Sequence, residues 1–220
     1  MNIIVLSDIH GSLEYLPAIG EQLTKADLVM IAGDITHFGQ WAQAEEIISQ
    51  IRAYNQHVLA VPGNCDKFEV DEYLVSEGIN LSRNRVEIGG ITFCGLGGSL
   101  PCPGKTPNEF GEQVFTESLE ELSSKENFTG SLVFMTHQPA VGTAVDTVAG
   151  MHSGSAAVRD FIERNKPILA ISGHIHEAIG TDNIGPTTLI NPGSFRTGNY
   201  GCIELDGDNA KTSIHRLSIS

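Results

Sequence analysis

Gly173-His174-Ile175-His176 follows the apolar run Pro167 to Ser172. If that run is a strand, residues two apart leave it on the same side, so both imidazoles point one way. Paired histidines suit divalent metal ions. Asp8 and His10 repeat the relation after the run Asn2 to Leu6. Gly33-Asp34 ends a run from Asp27 to Ala32, and Pro62-Gly63-Asn64-Cys65-Asp66 ends His57 to Val61. Thr136-His137-Gln138-Pro139 ends Leu132 to Met135. Five apolar runs thus terminate in Asp8, His10, Asp34, Asn64, His137, His174 and His176. Two carboxylates, one carboxamide and four imidazoles form an O/N donor set. It suits Mn, Fe or Zn better than Ca, and thiolate ligands are absent from it. One carboxylate can bridge two ions, leaving six ligands to divide three and three.

The elements that must position these groups alternate in type. The apolar runs read as strands buried on both faces of an α/β sheet. Helices are expected between them: Ser12 to Thr24, with Pro17 in its first turn, and a stretch in which Trp41, Ala44, Ile47, Ile48 and Ile51 recur at 3.6-residue spacing. That spacing predicts Trp41 as a core anchor. Strand–helix–strand units imply parallel strands, and such sheets bind ligands beyond the strands' carboxyl ends. Val86 to Ile88 and Ile91 to Leu96 form an expected hairpin. Helices are expected again at Glu109 to Ser124 and Gly154 to Asn165. The tail from Thr187 to Ile219 reads as strands and predicts a second, mostly antiparallel sheet. The fold class is therefore α/β: a four-layer αββα sandwich, two mixed β-sheets flanked by helices, in one domain over residues 1–220.

Residues 97–107, rich in Pro and Gly, predict a loop, either a substrate-side lid or a disordered excursion. Residues 140–153 predict a mobile stretch, and His152 within it is a candidate substrate contact.

The formal net charge of −14 disfavours a stable nucleic-acid complex, since phosphate backbones are held by Lys and Arg. It disfavours anionic membranes as well. No run is long enough to span a bilayer, and no basic region precedes the first apolar run as in a signal peptide. Cys65, Cys94, Cys102 and Cys202 lack paired zinc spacing, and reduced thiols in a cytoplasm are the expectation.

Asp8-x-His10, Gly33-Asp34, Gly63-Asn64-x-Asp66, His137 and Gly173-His174-x-His176 resemble, in order, the blocks of the calcineurin-like metallophosphoesterases. Thr136-His137-Gln138-Pro139, His152-x-Gly154-Ser155 and His176-Glu177 further resemble a branch of small, single-domain predicted phosphoesterases. The resemblance implies two divalent metal ions (Mn, Fe or Zn, with Mn favoured). It assigns Asp8, His10 and His176 to one metal, Asn64, His137 and His174 to the other, and Asp34 to the bridge. It implies hydrolysis of a phosphomono- or phosphodiester by a water activated between the metals, on a small phosphorylated substrate, with Asp34 and Asn64 in the catalytic set. The family often has histidine, a proton donor, where this chain has Cys65. Cys65 then packs in a tight loop, and the enzyme either depends less on protonation of the leaving group or borrows another donor such as His152. Asp66 either holds its loop through backbone N–H groups or caps the following helix. Asn191-Pro192-Gly193-Ser194 resembles a family loop near the metals. His37, His57 and His215 read as surface or packing residues. A catalytically silent, protein-binding scaffold of the same fold is the alternative, with a nuclease ranked behind it. Oligomeric state stays open.

Overall fold

A computed structural model describes residues 1–124, 128 and 130–218. In chain order the elements are β1 (Asn2–Leu6), α1 (Gly20–Lys25), β2 (Leu28–Ala32), α2 (Trp41–Arg52), β3 (Val58–Val61), α3 (Phe68–Ser76), β4 (Arg85–Ile88), β5 (Ile91–Leu96), α4 (Glu112–Ser124), β6 (Ser131–Thr136), β7 (Thr147–Val148), β8 (Met151–His152), α5 (Ala156–Asn165), β9 (Leu169–Ile171), β10 (Gly180–Ile184), β11 (Thr187–Asn191), β12 (Asn199–Asp206) and β13 (Asn209–Arg216). Two large mixed sheets run β13-β12-β1-β2-β3 and β10-β11-β9-β6-β5-β4, and β7 and β8 form a small hairpin.

Period-2 alternation explains the layering. From β1, Ile4 and Leu6 face the helices, packing with Ile48 and Ile51 of α2 and Val70 and Leu74 of α3. Ile3 and Val5 face the other way, toward Val133 and Met135 of β6 and Leu169 and Ile171 of β9. On the outer side of the second sheet, Phe134 and Ala170 meet Phe115 and Leu119 of α4 and Val158 and Phe161 of α5. Helices, sheet, sheet and helices make the four expected layers. No helix among the described residues is long and apolar enough to cross a membrane.

Three expectations are corrected. Trp41 is 40% exposed and meets Tyr73 edge-on at 5.4 Å. As the first residue of α2 its side chain leans toward the helix start and away from the sheet. The tail forms no sheet of its own. Antiparallel pairing of β12 with β1, Ile3 opposite Ile203, adds β12 and β13 to the first sheet. The parallel pairing of β11 with β9 adds β10 and β11 to the second, in which β5, β6, β9 and β11 run parallel. Ile219, the end of the expected tail, lies outside the described residues. The helix expected at Ser12 to Thr24 is a 3-10 turn, Leu16–Ile19, with Pro17 in its first turn, followed by α1.

Candidate metal centre

The seven candidate ligands follow the carboxyl ends of five parallel strands drawn from both sheets: β1, β2 and β3, then β6 and β9. The ladder continues past the strands and fixes these segments against one another. Asp8 N donates to the Gly33 carbonyl, His10 N to that of Asp34, and Gly173 N to that of His137. Four of the seven, Asp8, His10, Asp34 and His174, hold positive φ (52°, 46°, 49° and 66°). Left-handed backbone at non-glycine residues costs about 1–3 kcal/mol each and persists where surroundings impose it. Neighbouring glycines make room. A Cβ on Gly33, itself at φ +89°, would overlap the His137 ring, and one on Gly173 would overlap Ser7 Oγ.

The donor atoms converge. His176 Nε2 lies 3.1 Å from Asp8 Oδ1 and 3.5 Å from His10 Nε2. Asp34 faces two ways, with Oδ2 3.6 Å from His10 Nε2 and Oδ1 3.5 Å from His137 Nε2. Asn64 Oδ1 is 2.9 Å from His137 Nε2, and the His174 ring lies 5.0 Å from the His137 ring. Ligand atoms of Asp8, His10 and His176 all lie within 4.8 Å of one another, as do those of Asp8, Asp34 and His137. The structure thus brings all seven together.

Electrostatics divide the group. Burial would raise the Asp8 carboxyl. The hydrogen bond from His176, the charges of His137 and His176, and the Ser7 hydroxyl reverse this and hold it well below the usual range. Burial pushes Asp34 up to about 6; His137 opposes this, while Asp8 and Asp66 add to it. Burial lowers His10 to about 4 and His174 to about 3, so both rings are neutral donors at pH 7. His176 is raised, chiefly by its bond to Asp8.

His152 is not among these contacts. It sits in β8, its side chain 52% exposed, with Nδ1 2.7 Å from Oδ1 of the buried Asp146. Asp146 also accepts from the N–H groups of Gly142, Thr143 and Gly154, so residues 142–154 are pinned where a mobile stretch was expected. The Cys65 thiol packs in its loop, 7% exposed, and also faces the centre, within 4.8 Å of ligand atoms of His10 and Asp34. Burial, with Asp34 adding, pushes it far above the ordinary thiol range. Asp66 holds its loop, as one of two expectations had it. It accepts from the N–H groups of Gly63, Ile35 and Thr36 and from the Thr36 hydroxyl, while the helix cap at Lys67 has no side-chain bond.

Other residues border or brace the candidate ligands. The exposed His37 ring stands 5.6 Å from His10, edge-on, so it borders the centre and is more than a surface residue. Its signal was its place two positions after Ile35 and three after Asp34. Ser194 donates to the Asp8 carbonyl and Asn191 to that of Ile175, so the loop at 191–194 braces two ligand segments. Ala32 accepts from His137 Nδ1 at 2.7 Å, a backbone contact that leaves no mark on residue type.

Comparisons with known proteins show the family and the fold of the chain. The chain is 36% identical over 198 residues, 87% of its length, to an uncharacterized protein of Methanocaldococcus jannaschii, of which it covers 88%. Its fold resembles the crystal structure of the protein TT1561 of Thermus thermophilus, with TM-score 0.75, 18% identity, and coverage of 96% of this chain and 97% of that one. It also resembles that of a dimetal phosphatase from Danio rerio, with TM-score 0.60, 11% identity, and coverage of 96% and 98%. At those identities the structural likenesses speak to the fold. The family model for calcineurin-like phosphoesterases matches residues 1–178, from the first strand through the His174–His176 segment, and the chain belongs to that family.

Proposed function

We propose that the protein is a phosphoesterase that uses two divalent metal ions to hydrolyse a small phosphomono- or phosphodiester. The observation that supports this is the convergence of lone pairs. His137 Nδ1 donates to Ala32, so in the neutral ring Nε2 carries a lone pair. In that form the lone pair faces Asn64 Oδ1 and Asp34 Oδ1, two more acceptors, the second of which takes one N–H, from Cys65, at 2.7 Å. His10 Nδ1 is buried without a hydrogen-bond partner among the described residues. Such a spot fits cations, and the mixed donor set fits Mn, Fe or Zn, with Mn favoured.

Asp8, His10 and His176 would hold one ion and Asn64, His137 and His174 the other, with Asp34 offering an oxygen to each. When bound, such ions lower the pKa of a water and neutralise charge on the phosphoryl oxygens. The chain itself does the rest. Positive-φ backbone and the ladder bonds preorganise the donors. Asp146 accepts from His152 Nδ1, so a proton passed from this ring to the leaving alkoxide would have to come from Nε2 of its imidazolium form. The Cys65 thiol, raised by burial, is a poor acid, so turnover should favour esters with acidic leaving groups. The acidic chain favours small substrates over nucleic acid, and one domain acting in a cytoplasm completes the reading.

The test is a panel of phosphomonoesters, phosphodiesters and cyclic nucleotides on chelated protein, with Mn, Fe or Zn restored in turn. Hydrolysis that returns with metal is expected. Silence with every metal would overturn the proposal and favour a binding scaffold of this fold.

A further inference from the structure

Asn64 can offer a cation its carbonyl oxygen only if the carboxamide is held one way round. Turned by 180° about its last bond, it would present its NH₂ group instead. Oδ1 faces His137, and Nδ2 donates to Thr106 Oγ1 at 2.9 Å. A hydroxyl can donate or accept, so Thr106 alone could serve either end of the amide. Glu109 removes that freedom. Its Oε1 accepts from the Thr106 hydroxyl at 2.6 Å, from the Thr106 N–H at 2.6 Å and from the Cys102 thiol at 3.0 Å. An ionised carboxylate only accepts, so the single hydroxyl proton of Thr106 is committed to it. The Thr106 oxygen then has only lone pairs to show Asn64, and Nδ2 is the end that matches. Burial would raise the Glu109 carboxyl, but the bonds from Thr106 and Cys102 hold it down at about 2. Two further bonds keep the loops in register: Asn108 N donates to the Asn64 carbonyl at 3.0 Å, and Asn108 Nδ2 to that of Gly63 at 2.9 Å.

We propose that Glu109 and Thr106 are positioning residues: the carboxylate orients the hydroxyl, the hydroxyl orients the carboxamide, and Asn64 Oδ1 is thereby presented to the metal held with His137. This rests on the two-metal reading above. It gives the loop at 97–107, with Glu109 just beyond it, a part in building the centre.

The experiment titrates Mn²⁺ into chelated wild type, Thr106→Val, Thr106→Ser and Glu109→Gln by calorimetry, with bound metal counted. Valine keeps the shape of threonine and takes away the acceptor. Wild type should bind two equivalents. Thr106→Val should weaken one of them by roughly 10–100-fold, the range for losing an outer hydrogen bond to a ligand, and spare the other. Thr106→Ser should restore both, and Glu109→Gln should fall between. Two unchanged affinities in Thr106→Val would overturn the proposal. So would a Thr106→Ser variant as weak as the valine, which would trace the loss to loop packing. If Thr106→Val melts well below wild type, Glu109→Gln decides, with wild-type affinity at both sites counting against the relay. Fewer than two equivalents in wild type would sink the two-metal reading itself, a separate result.

Discussion

Asp66 and Asp146 each hold a loop together from inside. Asp66 accepts from three backbone N–H groups and the Thr36 hydroxyl, tying the segment after β2 to the segment after β3. Asp146 accepts from three backbone N–H groups and His152, closing residues 142–154 on themselves. Both side chains are fully buried. Their electrostatic states are opposite. Burial raises Asp66, and its bonds do not make up the difference. Burial also raises Asp146, but the bond from His152, with those from Thr143, Gly154 and Gly142, carries it below the usual range. The contrast lies in the neighbours. Asp66 adds its charge to that of Asp34 beside the candidate centre, whereas Asp146 has an imidazole of its own. The outlying carboxylate is balanced by its own imidazole, whereas the charge of Asp66 adds to that of Asp34, the side where a cation would be attracted.

The sharpest way to break this comparison is Asp66→Asn. The new NH₂ group would face N–H donors and leave at least one buried amide unsatisfied, at about 1–3 kcal/mol per group. We expect a loss of about 3 kcal/mol in urea unfolding. Mn²⁺ uptake should fall with it, because Asp34 and Asn64 ride on the segments that Asp66 joins. A loss below about 1 kcal/mol with uptake unchanged would show that Asp66 does not hold the centre. Asp146→Asn should cost less, about 2 kcal/mol by the same reasoning, and leave Mn²⁺ uptake at the wild-type level. A fall in uptake there would mean that the two loops are not independent.

The candidate centre was legible because its residues end strands, and strand ends leave a double mark: an apolar run and then a polar side chain at fixed offset. The two-sheet sandwich was legible from the same runs. What escaped notice was carried by backbone atoms or by partners far along the chain. Asp146 meets three N–H groups, and any residue has one, so nothing around it signals a buried carboxylate. Glu109 reaches Asn64 only through Thr106, a chemistry no spacing encodes. Trp41 has helical spacing with Ile48 and Ile51, yet periodicity does not see that a first-turn side chain leans off the core face. The sheet to which β12 and β13 belong is decided by an open edge of β1, nearly 200 residues away in sequence.

The smallest effect sharpens the comparison through pH. The folded pKa of Asp146 lies below its unfolded value of about 3.9. Its stabilisation is therefore fully present above that unfolded value and lost as pH falls through the folded one. The stability gap between wild type and Asp146→Asn should stay level down to about pH 5 and narrow below about pH 4. Taking the difference between the two proteins cancels every other carboxylate, including those of the centre. His152→Gln removes the largest of the bonds that lower Asp146. Because that ring is half-exposed, the variant should lose under about 1 kcal/mol at neutral pH. With the bond gone, the folded pKa rises toward the unfolded value, so less stabilisation is lost on acidification and the narrowing is smaller and complete at a higher pH. Urea midpoints from pH 3 to 7 for the three proteins measure this. A gap that stays level to pH 3 in wild type, or a His152→Gln curve that parallels wild type throughout, would show that Asp146 does not rely on its histidine, and the contrast with Asp66 would then need another cause.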